Sequence, residues 1–276
     1  MTSAVPPYSM TEQMVCATSR LIRDGEVVYV GVGMPVISAL LAKRTHAPDC
    51  TIVLETGIVR TAVFPLPALL DTLTTQAGAD ALSSAGYVNA LAQRGRIDLG
   101  IIGAGQVDRF GNVNSTAVGP FDAPVLRWPG AGGACEIASL CGRFIVAVNQ
   151  KRQRFPARVP FVSAPGYLSG GQPARDTAGL RPGTGPANVI TDLATYTFPA
   201  GAMQLASAHA GVSLDRIAEE TAWDVVDPAL SYPTTAPPTE EELRILRDEI
   251  DPTGIVLRQA RRPGSGTTPV AAATAT

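Results

Sequence analysis

Glu26-Val27-Val28-Tyr29-Val30-Gly31-Val32-Gly33-Met34-Pro35 is the stretch that settles the architecture. A run of β-branched and aromatic residues stops at glycine, and a proline follows where a helix can begin. That helix fits Val36 to Arg44. A second apolar run, Thr51 to Leu54, then ends at Glu55-Thr56-Gly57. Strands that are apolar on both sides of the pleat, joined through a helix, predict an α/β chain with a mainly parallel sheet covered on both faces.

Outward from this unit the same grammar continues. Upstream, Ser9-Met10-Thr11-Glu12 reads as a capping box for a helix running to about Arg23, with Gly25 placed to stop it. Downstream, Ile97 to Ile102 runs into Gly103-Ala104-Gly105, and Phe144 to Val148, Val159 to Ser163 and Val189 to Thr191 extend the series of strands. Gly166 to Gly185 reads as a long surface excursion. Pro233 to Pro238 reads as an extended connector, leading into a second capping box, Thr239-Glu240-Glu241-Glu242. That last helix is expected to end at Asp251-Pro252. No internal repeat is present. The expected organisation is one domain over residues 1–262 and a disordered tail, small and polar, over 263–276.

Composition narrows the class of protein. Hydrophobic residues make up 45% of the 276 and charged residues 17%, enough for a single ample core. Aromatics are only 5%, which suits small-residue packing of helices on a sheet. A formal charge of -2 offers no basic field for nucleic acid, and the apolar runs are too short to span a bilayer, so neither partner is expected. Cys16, Cys50, Cys135 and Cys141 lack metal-ligand spacing. With no signal peptide recognisable ahead of them, they read as free thiols of a cytoplasmic protein.

Ligands of open α/β sheets gather beyond the carboxyl ends of the strands. Three such ends carry unusual residues here: Gly31 and Gly33, then Glu55 with Gly57, then Gly103 to Gln106. A further glycine run, Gly130-Ala131-Gly132-Gly133, lies between strands. Glu55 is the sharpest of these, a carboxylate directly after a buried strand. The competing reading pairs it with Arg60 or makes it a turn cap. His46 and His209 have no metal-ligand partner nearby in sequence and read as surface or capping residues. No G-x-S-x-G elbow and no phosphate-loop motif occurs. Lys151, Arg152, Arg154 and Arg158 form a cationic group that fits either phosphates or a solvated face.

Several blocks, in order, resemble the β subunit of glutaconate CoA-transferase within the class I CoA-transferases. They are residues 26–35, residues 42–50, Leu54-Glu55-Thr56-Gly57, the Gln106 to Thr116 block with its Gln-x-Asp-x-x-Gly-Asn-x-Asn pattern, and Gly130 to Ala134. Lys151 to Phe155, Ser163 to Gly166 and Glu240 to Pro252 also find counterparts, so the likeness spans residues 10–258. It departs at Thr56, where that family usually has Ser or Asn, and it is poor over Ile58 to Ala90, where an acyl group would be read.

The resemblance implies an open α/β/α sandwich acting beside a related α subunit, with the active site at their junction and Glu55 as nucleophile. It implies coenzyme A as co-substrate with no bound cofactor, an acyl-CoA and a small carboxylic acid as reactants, and no metal. By position, Gly132 and Gly133 become candidate oxyanion donors, with Gly31 and Gly33 lining the cleft. Gly57, Gln106, Asn112, Lys151 and Arg152 become candidate CoA contacts, and Arg60 or Arg127 could meet a distal carboxylate. Relatives on this fold include a decarboxylase with cysteine at the glutamate position and a ring-opening hydrolase lacking the glutamate. An acyl-CoA hydrolase and a non-catalytic assembly subunit complete the alternatives.

Overall fold

The computed structural model describes residues 8–31, 33–64, 66, 72–254 and 256–257; the tail expected from residue 263 lies outside them. Helix α1 (Met10–Ser19) opens with the capping box read from sequence. Ser9 Oγ accepts from the Glu12 N–H, and Glu12 Oε2 accepts from the Ser9 N–H at 2.6 Å. It stops at Arg20 rather than Arg23, because the Leu21 and Ile22 N–H groups close tighter turns on the Thr18 and Ser19 carbonyls. Strand β1 (Val27–Val30) runs into Gly31, and Gly33, at φ +87°, caps α2 (Met34–Arg44). Ile37, Leu40 and Leu41 of α2 are fully buried, each contributing roughly 1.5–3 kcal/mol.

Strand β2 (Thr51–Leu54) turns through Glu55-Thr56-Gly57 into β3 (Ile58–Arg60), the Gly57 N–H donating to the Leu54 carbonyl at 2.9 Å. Gly57 has φ +101°, and a Cβ there would lie 2.5 Å from the Ser83 carbonyl oxygen, so no other residue fits. Next come α3 (Leu73–Gln76), β4 (Ala81–Leu82), α4 (Ala85–Gln93) and β5 (Leu99–Gly103). Two short hairpins follow, β6 (Gln106–Val107) with β7 (Val113–Asn114) and β8 (Ala117–Val118) with β9 (Leu126–Arg127). Then come α5 (Ala134–Leu140), β10 (Arg143–Ala147), α6 (Gly171–Thr177), β11 (Pro186–Ile190), β12 (Ala194–Thr197) and β13 (Gln204–Ala208). Helix α7 (Leu214–Glu219) precedes α8 (Glu240–Arg244), which runs into a π-helical turn, Ile245–Ile250.

Among the described residues nine strands form one sheet in the order β13-β12-β11-β10-β5-β1-β2-β3-β4. The five central strands are parallel, as expected, and antiparallel pairs extend each flank. Alternate side chains feed two cores. Val28 and Val30 face α1, α2 and the π-helical turn, whereas Tyr29 faces α4 and α5. The result is the open α/β/α sandwich. Gly100 of β5 brings α5 close, since a Cβ there would sit 2.1 Å from Ile137 Cγ2.

Two expectations need correction. Val159 to Ser163 is not a strand: Pro160 has no N–H, and the Val159 N–H is spent on Asp108 Oδ2 at 3.2 Å. Gly166 to Gly185 is not a loose excursion, because it contains α6 and the fully buried Arg175. That guanidinium donates to the carbonyls of Pro165, Gly166 and Ala138 and to Thr184 Oγ1, at 2.7–3.0 Å.

Candidate active site

From β1 the chain reaches β2 through α2, on one side of the sheet. From β2 it returns through α4, in the opposite layer, to β5 on the other side of β1. Connections that part in this way open a crevice beyond the carboxyl ends of the strands. Gly31, Glu55 and Gly103 follow or close β1, β2 and β5 at that place. Among the described residues, no atom lies within 4 Å of where a Cβ would stand on Gly31, Gly33 or Gly103. The crevice floor is therefore bare backbone beside open space.

Glu55 is half-buried in the turn after β2. Its Oε2 accepts from the Gly133 N–H at 3.1 Å, the single hydrogen bond of this carboxylate among the described residues. A Cβ on Gly133 would approach Oε2 to 2.9 Å, and one on Gly132 to 3.7 Å. Gly133 is the N-cap of α5, so its N–H lies where the helix leaves backbone donors unpaired. Beneath this contact, the Tyr29 hydroxyl donates to Asn89 Oδ1 at 3.1 Å. Burial first, and then the nearby charge of Glu55, push the phenol above its ordinary value. Arg60 does not pair with Glu55. It is buried, donates to the Thr75 and Ala77 carbonyls at 3.1 and 2.5 Å, and lies 4.9 Å from the centroid of the Phe64 ring. Such an arrangement leaves one carboxylate oxygen free to attack an electrophile, with a fixed backbone donor beside it.

The structure thus brings Glu55, Gly132 and Gly133 together, with Gly31 and Gly33 at the adjoining strand end. The residues read as CoA contacts are otherwise engaged. Gly57 packs on the Ser83–Ser84 backbone. Gln106 Nε2 donates to the Gln153 carbonyl at 2.8 Å, and its Oε1 accepts from Asn114 at 2.9 Å. Asn112 Oδ1 accepts from Gly166 and Leu168, and its Nδ2 donates to Leu168 O and Asp108. Burial pushes the Asp108 carboxyl up, against the pull of its hydrogen bonds from Asn112, Phe110 and Val159. Lys151 pairs with Glu220 at 3.1 Å, and Arg152 donates to the Thr221 carbonyl at 2.7 Å, so both lie against the end of α7.

Arg127 is exposed over the Phe121 ring. His46 is exposed, but His209 is buried, not a surface residue, with contacts to the Thr191 carbonyl and Thr235 Oγ1. Sequence reasoning missed Tyr29, Asn89 and an open cavity of about 400 Å³ lined by Gly105, Gln106, Leu126, Trp128 and Arg154. Among the described residues no cluster of His, Cys, Asp and Glu could hold a metal, and no helix is long and apolar enough to cross a membrane.

Residues 11–220 match the Coenzyme A transferase family. The B subunit of 3-oxoadipate CoA-transferase from Pseudomonas knackmussii is 37% identical over 243 residues, covering 87% of this chain and 92% of that one. The B subunit of glutaconate CoA-transferase from Acidaminococcus fermentans is 31% identical over 253 residues, with 89% and 93% covered. The crystal structure of glutaconate coenzyme A-transferase from that organism superposes with a TM-score of 0.85 at 29% identity, covering 91% of this chain and 98% of its own.

Proposed function

The chain belongs to the Coenzyme A transferase family, and from that membership we propose that it is the B-type subunit of a heteromeric enzyme moving CoA between an acyl-CoA and a free carboxylic acid through covalent intermediates on Glu55. The observation that carries this reading is the half-buried carboxylate at the end of β2, held by one backbone donor and no cation. A salt-bridged carboxylate would be a poorer nucleophile. This one has a free oxygen facing the crevice side of the sheet.

Glu55 attacks the thioester carbonyl, and the oxyanion that forms is held by backbone N–H groups of the Gly132–Gly133 loop. Collapse expels CoA as thiolate and leaves a mixed anhydride on Glu55. The thiolate attacks the glutamyl carbonyl, releasing the free acid and forming a glutamyl-CoA thioester. The acceptor carboxylate then attacks that thioester to give a second anhydride, and returning thiolate completes the new acyl-CoA. Each bond broken is replaced by one of similar energy, so the exchange needs no external energy source. Gly57, Gln106 and Asn112 support the site as parts of its frame. The cavity beside Trp128 and Arg154 offers an apolar wall with a cation at its edge, suited to an acyl chain that carries a carboxylate.

The partner is a related A-type subunit, the complement that a B-type chain such as either relative requires. Acetyl-CoA and succinyl-CoA, offered to the reconstituted pair with 3-oxoadipate or glutaconate as acceptor, should leave a hydroxylamine-sensitive adduct on the peptide carrying Glu55. Mapping of the adduct to another peptide, or none during turnover, overturns the reading. Glu55→Gln should lower exchange about 10³-fold or more without loss of subunit association.

A further inference from the structure

Side chains at alternate positions along adjacent strands share a face, and Tyr29 is paired with Val53 across β1 and β2. Glu55, two residues beyond Val53, therefore emerges on the same face as Tyr29, the face covered by α4 and α5. The Gly133 backbone lies between them. A Cβ built on that glycine would lie 2.9 Å from Glu55 Oε2 and 3.6 Å from the Tyr29 hydroxyl oxygen. A phenol carries one proton, and Tyr29 gives it to Asn89 Oδ1, on α4, at 3.1 Å. What the phenol presents toward the Glu55–Gly133 contact is an oxygen without a hydrogen. Burial keeps that phenol protonated at any working pH, so the direction of its proton is set by its acceptor alone.

We propose that the Tyr29–Asn89 pair is a positioning device for Glu55: Asn89 draws the phenolic proton toward α4, so that Glu55 keeps a single backbone donor and its attacking oxygen stays unpaired. This rests on Glu55 being the nucleophile. Without an acceptor on α4, the phenol would rotate its O–H toward the nearest anion, which is Glu55, and a second donor on the carboxylate would hold down its nucleophilicity. The pair thus acts through proton direction, which separates it from a simple packing role. Tyr29→Phe removes the unwanted donor together with the acceptor requirement and should be tolerated. Asn89→Leu leaves the donor loose and should not be.

The test is a double-mutant cycle on the reconstituted two-subunit enzyme, with succinyl-CoA as donor and 3-oxoadipate as acceptor. Asn89→Leu should lower kcat about 10-fold with KM nearly unchanged. Tyr29→Phe should stay within about 3-fold of the parent, and the double variant should recover to the level of Tyr29→Phe. Thermal midpoints measured alongside show that all three variants fold. A double variant as slow as Asn89→Leu or slower, or a loss carried by KM, overturns the proposal. Glu55→Gln is run in the same series. If it retains full exchange, the nucleophile assignment itself fails; if it is inactive while the cycle shows no recovery, only the role of Tyr29 and Asn89 fails.

Discussion

Gly133 and Gly57 both stand beside Glu55, yet they are glycine for different reasons, and substitution separates them. Gly133 has φ -80° and ψ 3°, a conformation open to alanine, so the backbone would accept a methyl group. The carboxylate would not, since the new Cβ would lie 2.9 Å from Oε2 and 3.3 Å from the Glu55 Cβ. Gly133→Ala should therefore cut kcat by about 10²-fold with little change in thermal midpoint, as measured by steady-state exchange and calorimetry. At Gly57 the positive φ and the Ser83 backbone both oppose a side chain. Gly57→Ala should cost about 1–3 kcal/mol of stability, read from denaturant midpoints. Glu55 was legible in the sequence because a carboxylate ending an apolar run is rare enough to notice. Tyr29 was not, although a tyrosine inside a buried strand carries a hydroxyl that must find a partner, and that signal pointed to Asn89.

Elements were legible where their period or punctuation was strong. The central strands, both capping boxes and α2 came directly from the chain, because continuous apolar runs and Ser/Thr-x-x-Glu patterns have few competing readings. The flanking strands β3, β4, β12 and β13 escaped, being short and antiparallel, with mixed residues such as Ala-Thr-Tyr-Thr in β12. The excursion of residues 166–185 misled for another reason. Its glycines suggest looseness, while its order comes from one buried cation that composition cannot reveal. Arg175 ties three carbonyls and a hydroxyl together, including the Ala138 carbonyl of α5. Arg175→Met should destabilise the protein by about 2–4 kcal/mol and expose the 166–185 segment to limited proteolysis, with Arg175→Lys intermediate. Unchanged cleavage patterns in the Met variant would refute that clamp.

Across the whole molecule, the first and last helices are joined by two ion pairs, Arg20–Glu242 at 2.5 Å and Arg247–Glu12 at 2.7 Å. Burial raises both carboxyls, but hydrogen bonds overcome it and hold them below the ordinary 4.5: from Arg247 and Ser9 for Glu12, from Arg20 and Thr239 for Glu242. A folded-state value below the unfolded one means stability fully present above about pH 4.5 and lost as pH falls below it. Thermal midpoints should therefore hold from pH 7 to 5 and drop below 4.5. Glu12→Gln should be less stable at pH 7 with a shallower acid decline, and an equal decline in the variant would remove Glu12 from the account. The layered plan also carries a mechanical corollary. Because residue 100 has no side chain, Ile137 rests directly on the sheet, and that absence fixes how high α5 rides above it. The altitude of the helix governs whether its first backbone amide can touch the reactive acid at the far end of a neighbouring strand. A single methyl inserted at position 100 would work like a shim under a lever, lifting the amide away and silencing an active centre it never meets.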